Sequence, residues 1–223
     1  MEFLRYLETL IYTERCPYCS VLIEPMQIAC ESCYDELQRK HLAIPGGARG
    51  YRCVSSFVYG NKVRRLILRI KFHERTQHIR QIIGIFADDI NKTYGESAFD
   101  LITAVPMFHS DERKREYNQS VILAKALSKH LGIPYLDTLR KIKKTKKQHT
   151  LTYKERKTNL NGAFRLIDKE LVKDKSILII DDIITSGNTL GECCKTIGKG
   201  KPKMICCATV ATARGKYPER TII

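Results

Sequence analysis

The sequence predicts an α/β protein, a mostly parallel sheet flanked by helices and preceded by a small cysteine-bearing module. Three observations carry this expectation. Residues 177–180 are Ile, Leu, Ile and Ile, an unbroken apolar run that fits a strand covered on both faces. Two further apolar runs, residues 100–106 and 204–212, lie before and after it. Between them, apolar residues fall at helical spacing: Val121, Ala124, Leu127 and Leu131, then Leu190, Cys193, Cys194 and Ile197. Strands alternating with helices build parallel sheets, and 223 residues suffice for one substantial α/β domain with a small appendage.

At the start of the chain, Phe3, Leu4, Leu7, Leu10 and Ile11 predict a short amphipathic helix. Glu2, Arg5 and Glu8 interrupt any signal-peptide core, so no targeting or membrane segment is expected. Cys16-x-x-Cys19 and, ten residues later, Cys30-x-x-Cys33 form two knuckles, each offering two thiolates on one turn. Four sulfurs complete a tetrahedral Zn2+ site and leave no position for water, so the metal would be structural. A pair of disulfides or a redox dithiol is the alternative that the spacing leaves open. Nine cysteines without a secretory signal point to a reducing compartment, the cytoplasm. A short helix is expected over residues 34–40. Pro45, Gly46 and Gly47 then mark a linker between a module at residues 1–44 and a main domain at residues 51–223.

Residues 51–59, with Val54, Phe57 and Val58, predict an early strand. Two helices follow, built on Val63, Leu66, Ile67 and Ile70, and on Ile79, Ile82, Ile83, Phe86 and Ile90. The break between them, Lys71-Phe72-His73-Glu74-Arg75, fits a solvated turn better than a pocket lining. Residues 100–106 are expected as the first strand of the parallel sheet, ending at Pro106. The basic run Arg113-Lys114-Arg115-Glu116-Tyr117-Asn118-Gln119 leads into a helix that Gly132 and Pro134 stop. Residues 140–147, Arg-Lys-Ile-Lys-Lys-Thr-Lys-Lys, show no apolar period and would repel themselves as a helix, so a mobile loop is expected before a strand at residues 164–167. Cys53, Cys193, Cys194, Cys206 and Cys207 sit in apolar runs and are expected as buried thiols. The net charge of +15 points to a polyanionic partner, nucleic acid or a phosphate-rich substrate, with a basic surface that only keeps the protein soluble as the bland alternative.

The run at residues 177–180 is expected to end in two carboxylates, Asp181 and Asp182. After Ile183 and Ile184 come Thr185, Ser186, Gly187, Asn188 and Thr189, and a helical pattern begins at Leu190. Such a loop can wrap a phosphate with its N–H groups and hydroxyls at the positive end of the helix. Carboxylates at the carboxyl end of a parallel strand can accept hydrogen bonds from a sugar diol or hold Mg2+ through water. Together these describe a phosphorylated sugar; a turn with a Ser/Thr-capped helix and no ligand is the alternative. No Gly-x-x-x-x-Gly-Lys-Ser/Thr pattern is present, which excludes a P-loop.

The thirteen-residue run Ile-Leu-Ile-Ile-Asp-Asp-Ile-Ile-Thr-Ser-Gly-Asn-Thr resembles the signature of type I phosphoribosyltransferases, matching it at every position. The resemblance implies that family's fold. It sets Asp181 and Asp182 at the ribose hydroxyls of phosphoribosyl diphosphate (PRPP), followed by Ile183, with Thr185, Ser186, Gly187, Asn188 and Thr189 around the 5′-phosphate. It also assigns pyrophosphate to the loop from Val105 and Pro106 to His109, where Met107, Phe108 and His109 replace the family's usual small residues. Residues 140–147 take the place of the family's catalytic hood, which could present Lys143, Lys144, Lys146 or Lys147 to pyrophosphate.

The pattern Arg113-x-Arg115-x-Tyr117-Asn118-Gln119 narrows the likeness. With the four-cysteine start, Val105-Pro106, and Gln148, Leu151, Arg156, Asn159, Ala163 and Phe164, the chain resembles the ComF family, named for bacterial competence. That resemblance implies a DNA-uptake factor for natural transformation. Such a factor would bind PRPP with Mg2+ and work beside other DNA-uptake proteins. It would hold single-stranded DNA, with Arg113, Arg115, Lys143, Lys144, Lys146 and Lys147 as contacts to DNA or pyrophosphate. The alternative is an active transferase in which Asp181 and Asp182 serve catalysis as phosphoribosyl passes from PRPP to a nitrogenous acceptor.

Overall fold

A computed structural model describes residues 15–16, 18–24, 27, 29–72, 76–115, 117–144 and 160–213. In chain order the helices are α1 (Glu31–Lys40), α2 (Asn61–Phe72), α3 (Thr76–Tyr94), α4 (His109–Arg115), α5 (Gln119–Leu131) and α6 (Asn188–Gly198). The strands are β1 (His41–Ala48), β2 (Tyr51–Val58), β3 (Leu101–Ala104), β4 (Leu139–Lys141), β5 (Phe164–Leu166), β6 (Ser176–Ile184) and β7 (Met204–Thr212).

Five strands make one sheet in the order β1-β2-β7-β6-β3, and β4 pairs with β5 in a separate antiparallel hairpin. β2, β7, β6 and β3 run parallel to their neighbours, and β1 is the antiparallel edge. The alternation of β6 explains why its sequence is continuously apolar. Leu178 and Ile180 pack with α2, α3 and α5 on one face, while Ile177 and Ile179 pack with α6 and the β4–β5 hairpin on the other. All four are fully buried, each contributing about 1.5–3 kcal/mol of apolar burial. The helix faces expected from spacing are in place: Val63, Leu66 and Ile67, then Ile82, Ile83, Phe86 and Ile90, are buried. No helix among the described residues is long and apolar enough to cross a membrane.

Four expectations are corrected. Pro45, Gly46 and Gly47 are not a linker but part of β1, paired with Val54, Cys53 and Arg52. An edge strand tolerates proline and glycine, and the two left-handed residues Arg49 and Gly50 return the chain tightly into β2. The boundary drawn at residue 44 thus falls inside a strand. β3 is not the first parallel strand, because β2 already runs parallel to β7. β6 does not end at the carboxylates; it pairs with β7 as far as Ile184 opposite Thr212. Finally, the basic run begins as a strand, since Arg140 and Lys141 belong to β4, opposite Arg165 and Phe164. The expected helix over residues 1–12, residues 73–75 of the polar break, Lys146 and Lys147, and Gln148, Leu151, Arg156 and Asn159 lie outside the described residues.

Candidate functional site

The ladder of β6 becomes irregular at its acidic pair. The Asp181 carboxylate accepts from the backbone N–H of Asp182 at 3.0 Å, and the Asp182 carboxylate from that of Ile183 at 2.8 Å. Beyond this point Ile183 turns to the α5 face and Ile184 to the α6 face. Asp181 also accepts a 2.7 Å hydrogen bond from the Ser120 hydroxyl, in the first turn of α5. Burial, then the neighbouring Asp182 charge, pushes the Asp181 carboxyl up to about 8, against the hydrogen bonds that favour its ionised form.

Asn118 caps α5, accepting from the Ser120 N–H at 3.0 Å, and its side-chain amide donates to the Val105 carbonyl at 3.0 Å. Val105 in turn donates its N–H to Ile180. The Asn118–Ser120 turn therefore ties the loop after β3 to the carboxylate of β6. On the other side of Asp182, Thr185 is exposed, Ser186 and Thr189 are half-buried, and Gly187 and Asn188 are buried. Gly187 is the N-cap of α6 with φ 75°, a left-handed conformation that glycine adopts without strain, and the Ser186 hydroxyl accepts from the Asn188 N–H at 3.4 Å. The structure thus brings Val105, Pro106, Asp181, Asp182, Ile183 and residues 185–189 to one end of the sheet, around the start of α6.

The expected cations divide. Arg113 is exposed on α4, and Arg115 ends that helix. Lys143 and Lys144 are exposed beyond β4, with the Lys143 ammonium 3.3 Å from the Asn161 carbonyl. Arg140 and Arg165 stand opposite each other on the hairpin's exposed face. Lys141 points the other way, half-buried, its ammonium 5.9 Å from the Phe164 ring centre. Burial lowers its pKa, opposed first by Asp111. Glu192, buried on α6, accepts from the Gly162 N–H at 3.0 Å and anchors the chain entering β5.

The sulfur atoms of Cys16, Cys19, Cys30 and Cys33 all lie within 4.8 Å of one another, with Cys19 and Cys30 at 3.5 Å. None of the nine cysteines is in a disulfide. Each knuckle is closed by its own backbone: Ser20 donates to the Cys16 carbonyl, and Cys33 and Tyr34 to that of Cys30. Burial raises the Cys16 thiol, but the N–H groups of Cys30, Tyr18 and Cys19 outweigh it and bring it down to about 7. Burial and the adjacent thiols push Cys33 up to about 12. A tetrahedral thiolate site with bonds of about 2.3 Å needs sulfurs about 3.8 Å apart, so this cluster is compatible with a structural Zn2+. Cys16, Tyr18 and Cys33 pack into the same core as Phe57 and Leu66, so the knuckles dock on the sheet domain.

Sequence reasoning missed Asn118 and Ser120 as positioning residues, and also Lys141 and Glu192. Asn118 stood in view as the cap before an apolar helix. The other three need tertiary partners far away in sequence.

Comparison with known proteins agrees with this geometry. The model of the phosphoribosyl transferase domain matches residues 118–222, from the Asn118 cap through the β6 carboxylates. Competence protein F of Haemophilus influenzae is 32% identical over 139 residues, which cover 60% of this chain and 61% of that protein. The chain thus spans about three fifths of that relative's length. DNA utilization protein YhgH of Escherichia coli (strain K12) is 28% identical over 188 residues, 79% of this chain and 81% of that protein. Among solved structures, a purine phosphoribosyltransferase from Pyrococcus horikoshii shows 20% identity and a TM-score of 0.39, over 63% of this chain and 79% of that one. The chain is thus similar to competence protein F and to YhgH, and its residues 118–222, which span the acidic pair of β6, match the phosphoribosyl transferase domain.

Proposed function

We propose that the protein binds PRPP with Mg2+ at the carboxyl end of β6 and serves the handling of DNA during its uptake. The observation that carries the first half is the convergence of Asp181 and Asp182, the glycine-capped start of α6 and the loop after β3 at one end of the sheet. Asp181 and Asp182 accept hydrogen bonds from the ribose hydroxyls. The N–H groups at the start of α6 and the hydroxyls of Thr185, Ser186 and Thr189 hold the 5′-phosphate. Ser120 fixes the Asp181 carboxylate, and Asn118 fixes Val105, so the sugar and pyrophosphate ends of the pocket keep a constant separation. Bound Mg2+ supplies charge neutralisation for the diphosphate. The four thiolates of Cys16, Cys19, Cys30 and Cys33 hold one Zn2+ that closes the knuckles against the sheet.

The second half rests on the relatives' names, competence and DNA utilization, and on the +15 charge. Exposed Arg113, Arg140, Lys143, Lys144 and Arg165 offer cations to a single-stranded DNA backbone. The cytoplasm, beside other DNA-uptake proteins, is the setting of that role. Calorimetric titration with Mg2+-PRPP tests the pocket: wild type binds, and Asp181→Ala with Asp182→Ala does not. Equal binding by both, or none by wild type, refutes the assignment. The β4 strand bridging the loop after β3 at Phe108 favours a second reading, transfer of phosphoribosyl to a nitrogenous acceptor beneath a hood. Pyrophosphate release from PRPP in the presence of candidate bases decides that reading.

A further inference from the structure

We propose that the lysine-rich turns at the amino-terminal ends of β6 and β7 form a nucleic-acid surface that grips the phosphate backbone by charge alone, whether the strand is single or paired. The inference rests on the DNA-handling reading and sets this contact at the end of the sheet opposite the acidic pair.

Residues 168–175 lead into β6 and residues 199–203 into β7. Together they carry Lys169, Lys173, Lys175, Lys199, Lys201 and Lys203 against three carboxylates, Asp168, Glu170 and Asp174. All of these lysines are exposed except Lys175, which is half-buried. The two turns are fastened to each other: Lys203 donates its N–H to the Lys175 carbonyl at 3.0 Å, and Asp174 donates to that of Lys201 at 3.1 Å. Gly200 lets them close, since a Cβ there would stand 2.3 Å from a Val172 methyl. Lys201 holds φ 57°, a left-handed position that glycine would occupy without strain, so its charge is kept at a conformational cost. The dipole of α6 accounts for a cation at its C-cap, Lys199, and its pull fades within one turn of the helix.

Chemistry selects the partner. Neither turn contains arginine or an aromatic residue, so nothing in them forks onto a phosphate or stacks on a base. Lysine ammoniums are point charges that neutralise a backbone without reading it. No apolar side chain of the two turns is exposed, which disfavours insertion into a lipid surface. From Lys175 to Asp181, β6 spans about 20 Å, beyond the screening length of about 8 Å at physiological salt. A diphosphate at the acidic end and a backbone at the lysine end therefore do not feel each other, and both are held at once.

The test compares wild type with the Lys173→Gln, Lys201→Gln, Lys203→Gln triple variant and the Lys143→Ala, Lys144→Ala double variant, with thermal melts to confirm folding. Fluorescence anisotropy follows a labelled single-stranded oligonucleotide and its duplex across a salt series, with Mg2+ alone and with Mg2+-PRPP. The triple variant is expected to flatten the salt slope by up to about one unit per lysine for both forms. PRPP leaves DNA binding at its Mg2+-only value, and calorimetric PRPP affinity is the same in wild type and triple variant. An unchanged slope overturns the inference, as does wild type that rejects the duplex, or displacement of DNA by PRPP beyond the effect of Mg2+ alone. Loss of DNA binding confined to the double variant overturns it while leaving the DNA-handling reading in place. Wild type that binds neither oligonucleotide at low salt overturns both. Phosphatidylglycerol vesicles that sediment wild type but not the triple variant, with DNA binding equal in the two, assign the surface to lipid and also overturn it.

Discussion

The thiol cluster and the strand-end pocket are both convergences of polar groups, yet they are assembled in opposite ways. All four thiols come from residues 16–33, two tight turns whose own backbone hydrogen bonds aim the sulfurs. The strand-end site draws on residues 105–189, from the loop after β3, α5, β6 and α6, with the Ser120 side chain of α5 holding the Asp181 carboxylate and Asn118 holding Val105. A locally assembled site is decided by spacing, and a distributed one by packing. The five other cysteines sharpen the lesson. Cys193, Cys194 and Cys207 are buried in apolar core, and the thiols of Cys193 and Cys207 are raised well above their usual range by burial and neighbouring thiols. The same residue type is placed to ligate a metal on a turn and fills space as a small hydrophobe on a helix or strand.

The largest expected effect is at the thiols. Zinc binding to structural sites is worth about 10–16 kcal/mol, so Cys33→Ser is expected to lose the metal and melt far below wild type. Zinc analysis with thermal melts checks this, and full stability of a metal-free variant would break the comparison. Next, Asn118→Ala removes both a helix cap and the tie to Val105, which is expected to cost about 2 kcal/mol. Because Asn118 joins two parts of the pocket, denaturant unfolding should be read beside PRPP affinity. A stability loss with no change in affinity would make the tie purely structural.

A further effect comes from pH. The Asp181 carboxyl is raised from 3.8 to about 8 in the folded chain, so the folded state binds this proton more tightly than the unfolded one. Its contribution to stability is fully present below pH 3.8 and is lost as pH rises through about 8. Wild type is therefore expected to lose more stability than Asp181→Asn between pH 5 and 8.5, read as the difference between their melting temperatures. Parallel curves would show that the carboxylate is solvated after all. The smallest effect is on DNA: replacing Lys143, Lys144, Lys146 and Lys147 by Ala should flatten the salt dependence of single-stranded DNA binding by up to about one unit per lost phosphate contact. Fluorescence anisotropy across a salt series measures it, and an unchanged slope would move DNA contact away from this run.

Much of the fold was legible because burial leaves a periodic trace. The apolar runs and helical spacings mark β6, β7, α2, α3, α5 and α6, and each takes its expected place. The signature at residues 177–189 located the carboxylates and the glycine that starts α6, since a left-handed cap and a buried parallel strand both constrain residue type locally. β4 was illegible for the opposite reason. Its inward residue is a lysine and an outward neighbour is Ile142, so its pattern inverts the rule that apolar side chains mark the core. β1 was hidden by proline and glycine, which weaken a strand intrinsically but are accepted where a partner is needed on only one side.

The sequence by itself determined the two cysteine knuckles, the acidic pair of β6 and the succession β2, α2, α3, β3, α5, β5, β6, α6 and β7. Each of these depends on residues within one turn or one element. Only the tertiary structure decided that β6 continues past its carboxylates beside β7, that Ser120 and Asn118 lock the pocket across 61 and 13 residues of chain, and that Lys141 faces inward. Those outcomes depend on which distant group supplies the missing hydrogen bond or countercharge, and no local pattern encodes that choice.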